Sequence, residues 1–128
     1  MLTLGRFSYP QPLVVLAPMA GVSDLPFRQL CQHFGADFTV AEMVSAKPDL
    51  LATELSQRRL AFDDDRRFPR IVQLLGADPA LMAAAAQRLV AAGADVIDVN
   101  LGCPAAAVAK RAAGSALLAD LPAVDRLL

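Results

Sequence analysis

Four short apolar runs, Leu13 to Ala17, Phe38 to Glu42, Arg70 to Leu75 and Asp95 to Val99, alternate along this chain with segments of helical pattern. Strict alternation of strand and helix leaves little choice of architecture: parallel strands joined by right-handed crossovers, an α/β fold. In the last run Val96, Ile97 and Val99 read as a parallel strand covered on both faces. Repeats of about 25 to 32 residues suit a (β/α)8 TIM barrel, for which about 250 residues are typical. The 128 residues present therefore amount to about four βα units, the amino-terminal half of such a barrel.

The helical segments carry their own punctuation. The first is expected over Asp24 to Phe34, with Ser23 or Asp24 as cap, Pro26 in the first turn, Gly35 as stop and an apolar stripe of Phe27, Leu30, Cys31 and Phe34. A second follows Ser45, with Pro48 early and Leu50, Leu51 and Leu55 as apolar anchors. The clearest begins at Asp78-Pro79, continues to Ala92 and stops at Gly93, with cap, first-turn proline and terminal glycine all in place. After Asp120 and Pro122, residues Leu121, Val124, Leu127 and Leu128 open one more stripe, which meets no stop signal, so the sequence reads as a fragment.

A chain with 55% hydrophobic and 20% charged residues has the composition of a packed globular domain. Its net charge of -1 supplies no global basic field for nucleic acid, although a polyanion needs only a local patch. No apolar segment approaches the roughly 20 residues that span a bilayer, and the start Met1-Leu-Thr-Leu-Gly-Arg-Phe7 lacks the parts of a secretory signal. The expected location is cytoplasmic. Cys31 and Cys103 provide neither metal-ligand spacing nor a disulfide framework, which fits a reducing compartment and no metal.

Chemistry concentrates at the strand ends. In Asp98-Val-Asn-Leu-Gly-Cys-Pro104, Gly102 permits an unusual backbone path and Pro104 prevents continuation of a ladder, so Cys103 sits in a loop at the carboxyl end of a strand. That end carries the active site in barrels and open α/β sheets. Cys31 falls within an apolar stripe and reads as core; His33, off the stripe, reads as surface. Pro18-Met19-Ala20-Gly21 follows the first strand, either as a plain strand-to-helix turn or as a place where backbone comes close to a flat ring. Gln73 is polar inside Ile71-Val-Gln-Leu-Leu75, where an unpaired amide is costly; it bonds a ligand or satisfies backbone groups. Asn100 is a turn residue or holds a base edge, and Glu42 either caps a loop or bonds in the pocket. Arg58, Arg59, Arg66, Arg67 and Arg70 read as a solvated cluster pairing with Asp63, Asp64 and Asp65, with RNA phosphates as the second reading.

Taken in order, Ala17-Pro-Met-Ala-Gly-Val-Ser-Asp-Leu-Pro-Phe-Arg28, Ala41-Glu-Met43, Gln73-Leu-Leu-Gly76, Asp98-Val-Asn-Leu-Gly-Cys-Pro104 and Gly114-Ser-Ala-Leu-Leu118 resemble the tRNA-dihydrouridine synthases, most closely the bacterial B-type branch. The resemblance runs from about Leu4 to Leu128. It implies a flavoprotein that reduces the C5–C6 bond of uridines in tRNA, using FMN reduced by NADPH, with hydride delivered to C6 and a proton to C5. By the same resemblance Cys103 is the catalytic proton donor, Pro18, Met19, Ala20 and Gln73 contact the flavin, and Asn100 lies beside the uracil. An ordinary thiol has a pKa of about 8.5, so near neutral pH it is mostly protonated and able to donate.

The resemblance further implies that residues 1–128 are a partial FMN-binding catalytic domain ending after the fourth strand, without the carboxy-terminal helical tRNA-binding domain, so that the fragment alone is inactive. Where related sequences commonly carry basic residues after Gly-Cys-Pro, this chain has Ala105-Ala-Ala-Val-Ala109 followed by Lys110-Arg111. Two other readings stand beside the first. One is a different FMN barrel oxidoreductase acting on a free pyrimidine; the other is a non-catalytic remnant that binds RNA or protein. A partner other than tRNA, whether membrane, metal or obligate protein, is not expected.

Overall fold

The computed structural model describes all residues, 1–128. In chain order the elements are β1 (Leu2–Leu4), β2 (Phe7–Tyr9), β3 (Val15–Leu16), α1 (Leu25–His33), β4 (Phe38–Ser45), α2 (Pro48–Leu51), α3 (Glu54–Arg59), β5 (Ile71–Leu75), α4 (Pro79–Ala91), β6 (Val96–Val99), α5 (Ala106–Ala109), a 3-10 turn over Gly114–Ala119, and α6 (Leu121–Leu127). Strands β3 to β6 form one parallel sheet in the order β3-β4-β5-β6. Each strand lies beside its predecessor without reversal. That is the winding of a barrel; a doubly wound sheet reverses at a switch point.

The sheet explains the sequence pattern once its two faces are separated. On β5, Val72 and Leu74 turn outward and join Val44, Leu51, Met82, Ala85 and Leu89 in the larger core beneath the helices. Ile71, one residue earlier, belongs to a second cluster with Phe38 and Val40, and Val96 packs against it. Period-2 alternation therefore places Gln73 on the inner face above Ile71, and Asp98 above Val96 on β6. Gln73 and Asp98 are register partners across the two strands. A polar residue inside an apolar strand run thus marks the inside of the curved sheet at its carboxyl end.

The amino end of that interior is closed by a hairpin that the sequence pattern does not announce. β1 and β2 pair antiparallel around Gly5, whose φ of +57 suits a tight turn. Leu2, Leu4 and Tyr9 from this hairpin pack against Phe38, Val40 and Ile71. The alternation Leu-Thr-Leu, Gly-Arg, Phe-Ser-Tyr carries a signal, but each strand has only three residues.

Caps fall where the residue chemistry puts them. Asp24 accepts from the Phe27 amide at 3.0 Å and Asp78 from the Leu81 amide at 2.9 Å. Gly35 follows α1 at φ +100. Three expectations need correction. The stripe of α1 is not its buried face: Leu30 and Phe34 are exposed at 51% and 79%, while Arg28 is buried. The edge strand beside this short helix is only two residues long and covers little of it, and a guanidinium with backbone acceptors takes the inner position. The segment after Ser45 breaks into two helices because Thr53 caps a new one, accepting from the Ser56 amide; Leu51 alone is buried, with Leu50 and Leu55 exposed. On β6, Val96, Ile97 and Val99 are half-buried rather than fully covered.

Candidate active site

The turn between β3 and α1 is built around Ser23, which is fully buried. Its Oγ accepts from the Met19 amide at 2.8 Å and donates to the Met19 carbonyl at 3.1 Å. Gly21, at φ +79, donates its amide to Glu42 Oε2 at 2.7 Å. Glu42 is buried on β4 beside a register shift between Ala41 and Val44, a bulge that turns two neighbouring side chains to separate tasks. Glu42 clamps the preceding loop, so of its two readings the structure shows the loop cap. Met43 faces the strand-end concavity. Arg59 backs the clamp, with its Nε 3.1 Å from Glu42 Oε2 and its Nη1 donating to the Met43 carbonyl.

Arg28 ties the same loop to the segment that follows α3. Its Nη2 donates to the Ala61 carbonyl at 2.7 Å and its Nε to the Ser23 carbonyl at 3.2 Å. Burial pulls its pKa down, while Asp63, Asp24 and Glu42 pull it up. The arginines are in part the expected solvated cluster, with Arg58, Arg66 and Arg67 exposed and Arg59 and Arg70 half-buried, but their partners differ. Arg67 pairs with Asp65 as expected, but Arg66 pairs with Asp95, Arg58 with Glu54 and Arg59 with Glu42. Arg70 lies over the Phe62 ring and donates to the Asp63 carbonyl. These pairings leave the cluster mostly engaged with the protein itself.

At the carboxyl ends of β5 and β6 a chain of side-chain hydrogen bonds leads to the thiol loop. Gln73 Nε2 donates to Asp98 Oδ2 at 2.6 Å, and Asn100 Nδ2 donates to Gln73 Oε1 at 2.8 Å. Asn100 Oδ1 then accepts from the amides of Gly102 at 3.1 Å and Cys103 at 2.9 Å. Asn100 is thus a turn residue that also lines the concavity. The Cys103 carbonyl accepts from the Ser115 amide and hydroxyl, at 3.0 and 3.1 Å. Cys103 is held from both sides, half-buried, with a free thiol.

Pro18, Ala20, Met43, Gln73, Asn100, Gly102 and Cys103 line one concavity of about 360 Å³. The structure thereby gathers residues from four separate strand ends around the thiol. Met19, named with Pro18 and Ala20 from the sequence, does not line this space; its side chain is exposed. Cys31 is half-buried and His33 exposed, edge-on to Phe34. Sequence reasoning missed Asp98, Met43, Arg28 and Ser23 as site-building residues. A charged residue interrupting an apolar strand was the available signal for Asp98; Arg28, off the apolar stripe of α1, carried none.

A second cleft of about 380 Å³ opens on the same rim between the loops that follow β4, β5 and β6, with Lys47, Asp78, Val108 and Arg111 among its walls. Neither Lys47 nor Arg111 makes an ion pair. Val108, in the wall of this cleft, lies close to Gly114, against which the Cys103 carbonyl also packs. No cluster of metal-ligating side chains exists in the structure, and no helix is long and apolar enough to cross a membrane.

Comparison with known proteins agrees with this geometry. Residues 15–128 match the family model described as dihydrouridine synthase (Dus). The chain is 50% identical over 125 residues to tRNA-dihydrouridine synthase B of Pseudomonas aeruginosa, covering 98% of this chain and 37% of that protein. It is 46% identical over 125 residues to the protein of that name from Vibrio cholerae, covering 98% and 38%. For Pasteurella multocida the figures are 47% over 115 residues, covering 90% and 34%. The chain thus spans a little over a third of the length of the curated relatives it matches. A parallel βα sheet wound in barrel order, a cysteine loop at its carboxyl rim and a family match over nearly all of its residues make this chain a member of the dihydrouridine synthase family.

Proposed function

We propose that the protein to which this chain belongs reduces uridine to 5,6-dihydrouridine in tRNA, with FMN as resident cofactor and NADPH as reductant, and that residues 1–128 are the amino-terminal part of its catalytic barrel. The observation that carries the reading is the concavity around Cys103. Its walls suit a flat, mostly apolar ring: Pro18, Ala20 and Met43 give apolar surface, and Gln73 retains one amide hydrogen beyond the one given to Asp98. Gly102 also lines it, and a Cβ there would meet no atom within 4 Å, so a side chain at this position would project into open space.

FMN, when reduced, would supply hydride to C6 of the uracil. The chain's own residues do the rest. Pro18, Ala20 and Gln73 hold the cofactor, Asn100 fixes the loop, and Cys103 donates the proton to C5 from a thiol that the loop presents at the rim. Lys47 and Arg111, unpaired beside the second cleft, offer positive charge to RNA phosphates next to a loop that is otherwise neutral. Work in the cytoplasm follows from such a substrate.

The reading is tested on the intact protein by its flavin absorbance after purification, and by dihydrouridine counted in tRNA before and after incubation with NADPH. A flavin spectrum and new dihydrouridine support it. A colourless protein that leaves tRNA unchanged overturns it, and reduction of free uracil in preference to tRNA favours the pyrimidine-reducing alternative.

A further inference from the structure

We infer that Asp98 is a positioning residue: together with the Gly102 and Cys103 amides it fixes the polarity of the Gln73–Asn100 hydrogen-bond relay and thereby steadies the loop that presents Cys103. An amide side chain can present either its oxygen or its nitrogen to a neighbour. Two constraints remove that freedom here. At one end the Gly102 and Cys103 backbone amides can only donate, so Asn100 must turn its oxygen to them and its nitrogen toward Gln73. At the other end a carboxylate can only accept, so Gln73 must turn its nitrogen to Asp98 and its oxygen toward Asn100. The two demands meet at the Asn100-to-Gln73 bond of 2.8 Å, where they agree.

The relay is placed where such agreement matters. Gln73 and Asn100 are both buried at 9% exposure, so a reversed amide would leave a donor facing a donor with little water to relieve it. Asp98 and Gln73 face each other as register partners on the inner sheet surface, which brings the carboxylate to 2.6 Å without help from a loop. The consequence for proton delivery rests on the function proposed above; the polarity of the relay does not.

The test uses peptide-resolved hydrogen exchange in the intact protein, without tRNA or added cofactor, reading the amides of Gly102 and Cys103 against those of Val72 and Leu74 in the core. Asp98→Asn keeps the shape but exchanges an obligate acceptor for an amide that can also present its nitrogen, so one of the two constraints is lost and only the Gly102 and Cys103 amides still orient the relay. Exchange at Gly102 and Cys103 is expected to rise about threefold to tenfold, the range set by one buried hydrogen bond, with Val72 and Leu74 unchanged. The double variant Asp98→Asn with Gln73→Glu restores the order. The new amide at position 98 and the Asn100 amide would both donate to the carboxylate introduced at position 73, and exchange should return to within about twofold of wild type.

Unchanged exchange in Asp98→Asn overturns the inference, as does a double variant that exchanges as fast as the single one, since a merely structural role for Asp98 predicts no rescue. A second arm measures tRNA reduction by Asp98→Asn, with kcat expected to fall while KM for tRNA holds. Exchange results as expected in a protein that reduces no tRNA would leave the relay standing and sink the proposed function instead.

Discussion

Replacing Gly114 by alanine should damage the thiol loop more than the fold. Gly114 is buried at φ +63, and a Cβ there would lie 2.6 Å from the Cys103 carbonyl oxygen, 2.9 Å from Val108 Cγ1 and 3.2 Å from Cys103 Cβ. Two costs add. A left-handed conformation in a residue with a side chain costs about 1–2 kcal/mol, and forcing an extra methyl into packed surroundings costs about 1–3 kcal/mol. Gly5→Ala isolates the first cost, because Gly5 has φ +57, close to that of Gly114, and nothing within 4 Å of its Cβ position. Urea unfolding of the two variants should therefore differ by the clash alone, about 1–3 kcal/mol at unchanged m. Relief comes most readily by moving the Cys103 carbonyl, which breaks its bonds to Ser115. Peptide-resolved exchange should accordingly rise at residues 102, 103 and 115 in Gly114→Ala and stay flat there in Gly5→Ala. Equal destabilisation, or an undisturbed thiol loop, would refute the claim that Gly114 is kept for its approach to Cys103.

Arg28→Ala should cost about 2–4 kcal/mol in denaturant unfolding, since it leaves the Ala61 and Ser23 carbonyls without a buried donor, and Arg28→Lys should rescue little because one ammonium cannot reproduce the forked geometry. Asp65, beside Arg67, has its pKa lowered to about 2. A depressed carboxylate stabilises above its ordinary range near 3.8 and loses that contribution as pH falls through about 2, so an NMR titration of Asp65 should show its midpoint there. Both groups are solvent-facing, so Arg67→Ala should return the midpoint toward the ordinary value with little change in stability. Lys47→Glu with Arg111→Glu should weaken tRNA binding by the intact protein and flatten its salt dependence, by about one unit of slope for each phosphate no longer neutralised; an unaltered slope would remove the second cleft from the RNA interface.

The winding of the fold was legible because alternation of strand and helix constrains connections more tightly than it constrains packing. Caps at Asp24 and Asp78 could be read because an N-cap is chemistry local to a few residues. The face of α1 could not, since which stripe is buried depends on how the helix settles on β4 beside an edge strand only two residues long, and Arg28 found its acceptors 5 and 33 positions away. The three-residue strands of the hairpin fell below the length at which alternation can be distinguished from chance.

Within the site, Gln73 was conspicuous as a polar residue inside an apolar strand and Asn100 as one at a strand end, and the structure brings them to one concavity with Cys103. Their bonds to each other were not legible, because register between β5 and β6 decides that Gln73 meets Asp98. Met43 was hidden by the bulge on β4, which no residue pattern announced. The arginine pairings failed for a related reason: Arg66 and Arg59 find Asp95 and Glu42 through the fold, although nearer carboxylates exist in the chain.

The proposed reaction turns on Cys103 as proton donor, and single-turnover reduction of tRNA by the prereduced intact protein probes that step without interference from flavin reduction. Cys103→Ala should slow dihydrouridine formation by about 10²–10⁴, the usual worth of a positioned general acid, while tRNA affinity and the flavin spectrum stay as in the wild type and Cys31→Ala remains fully active. Turnover by Cys103→Ala at the wild-type rate would show that the proton comes from elsewhere.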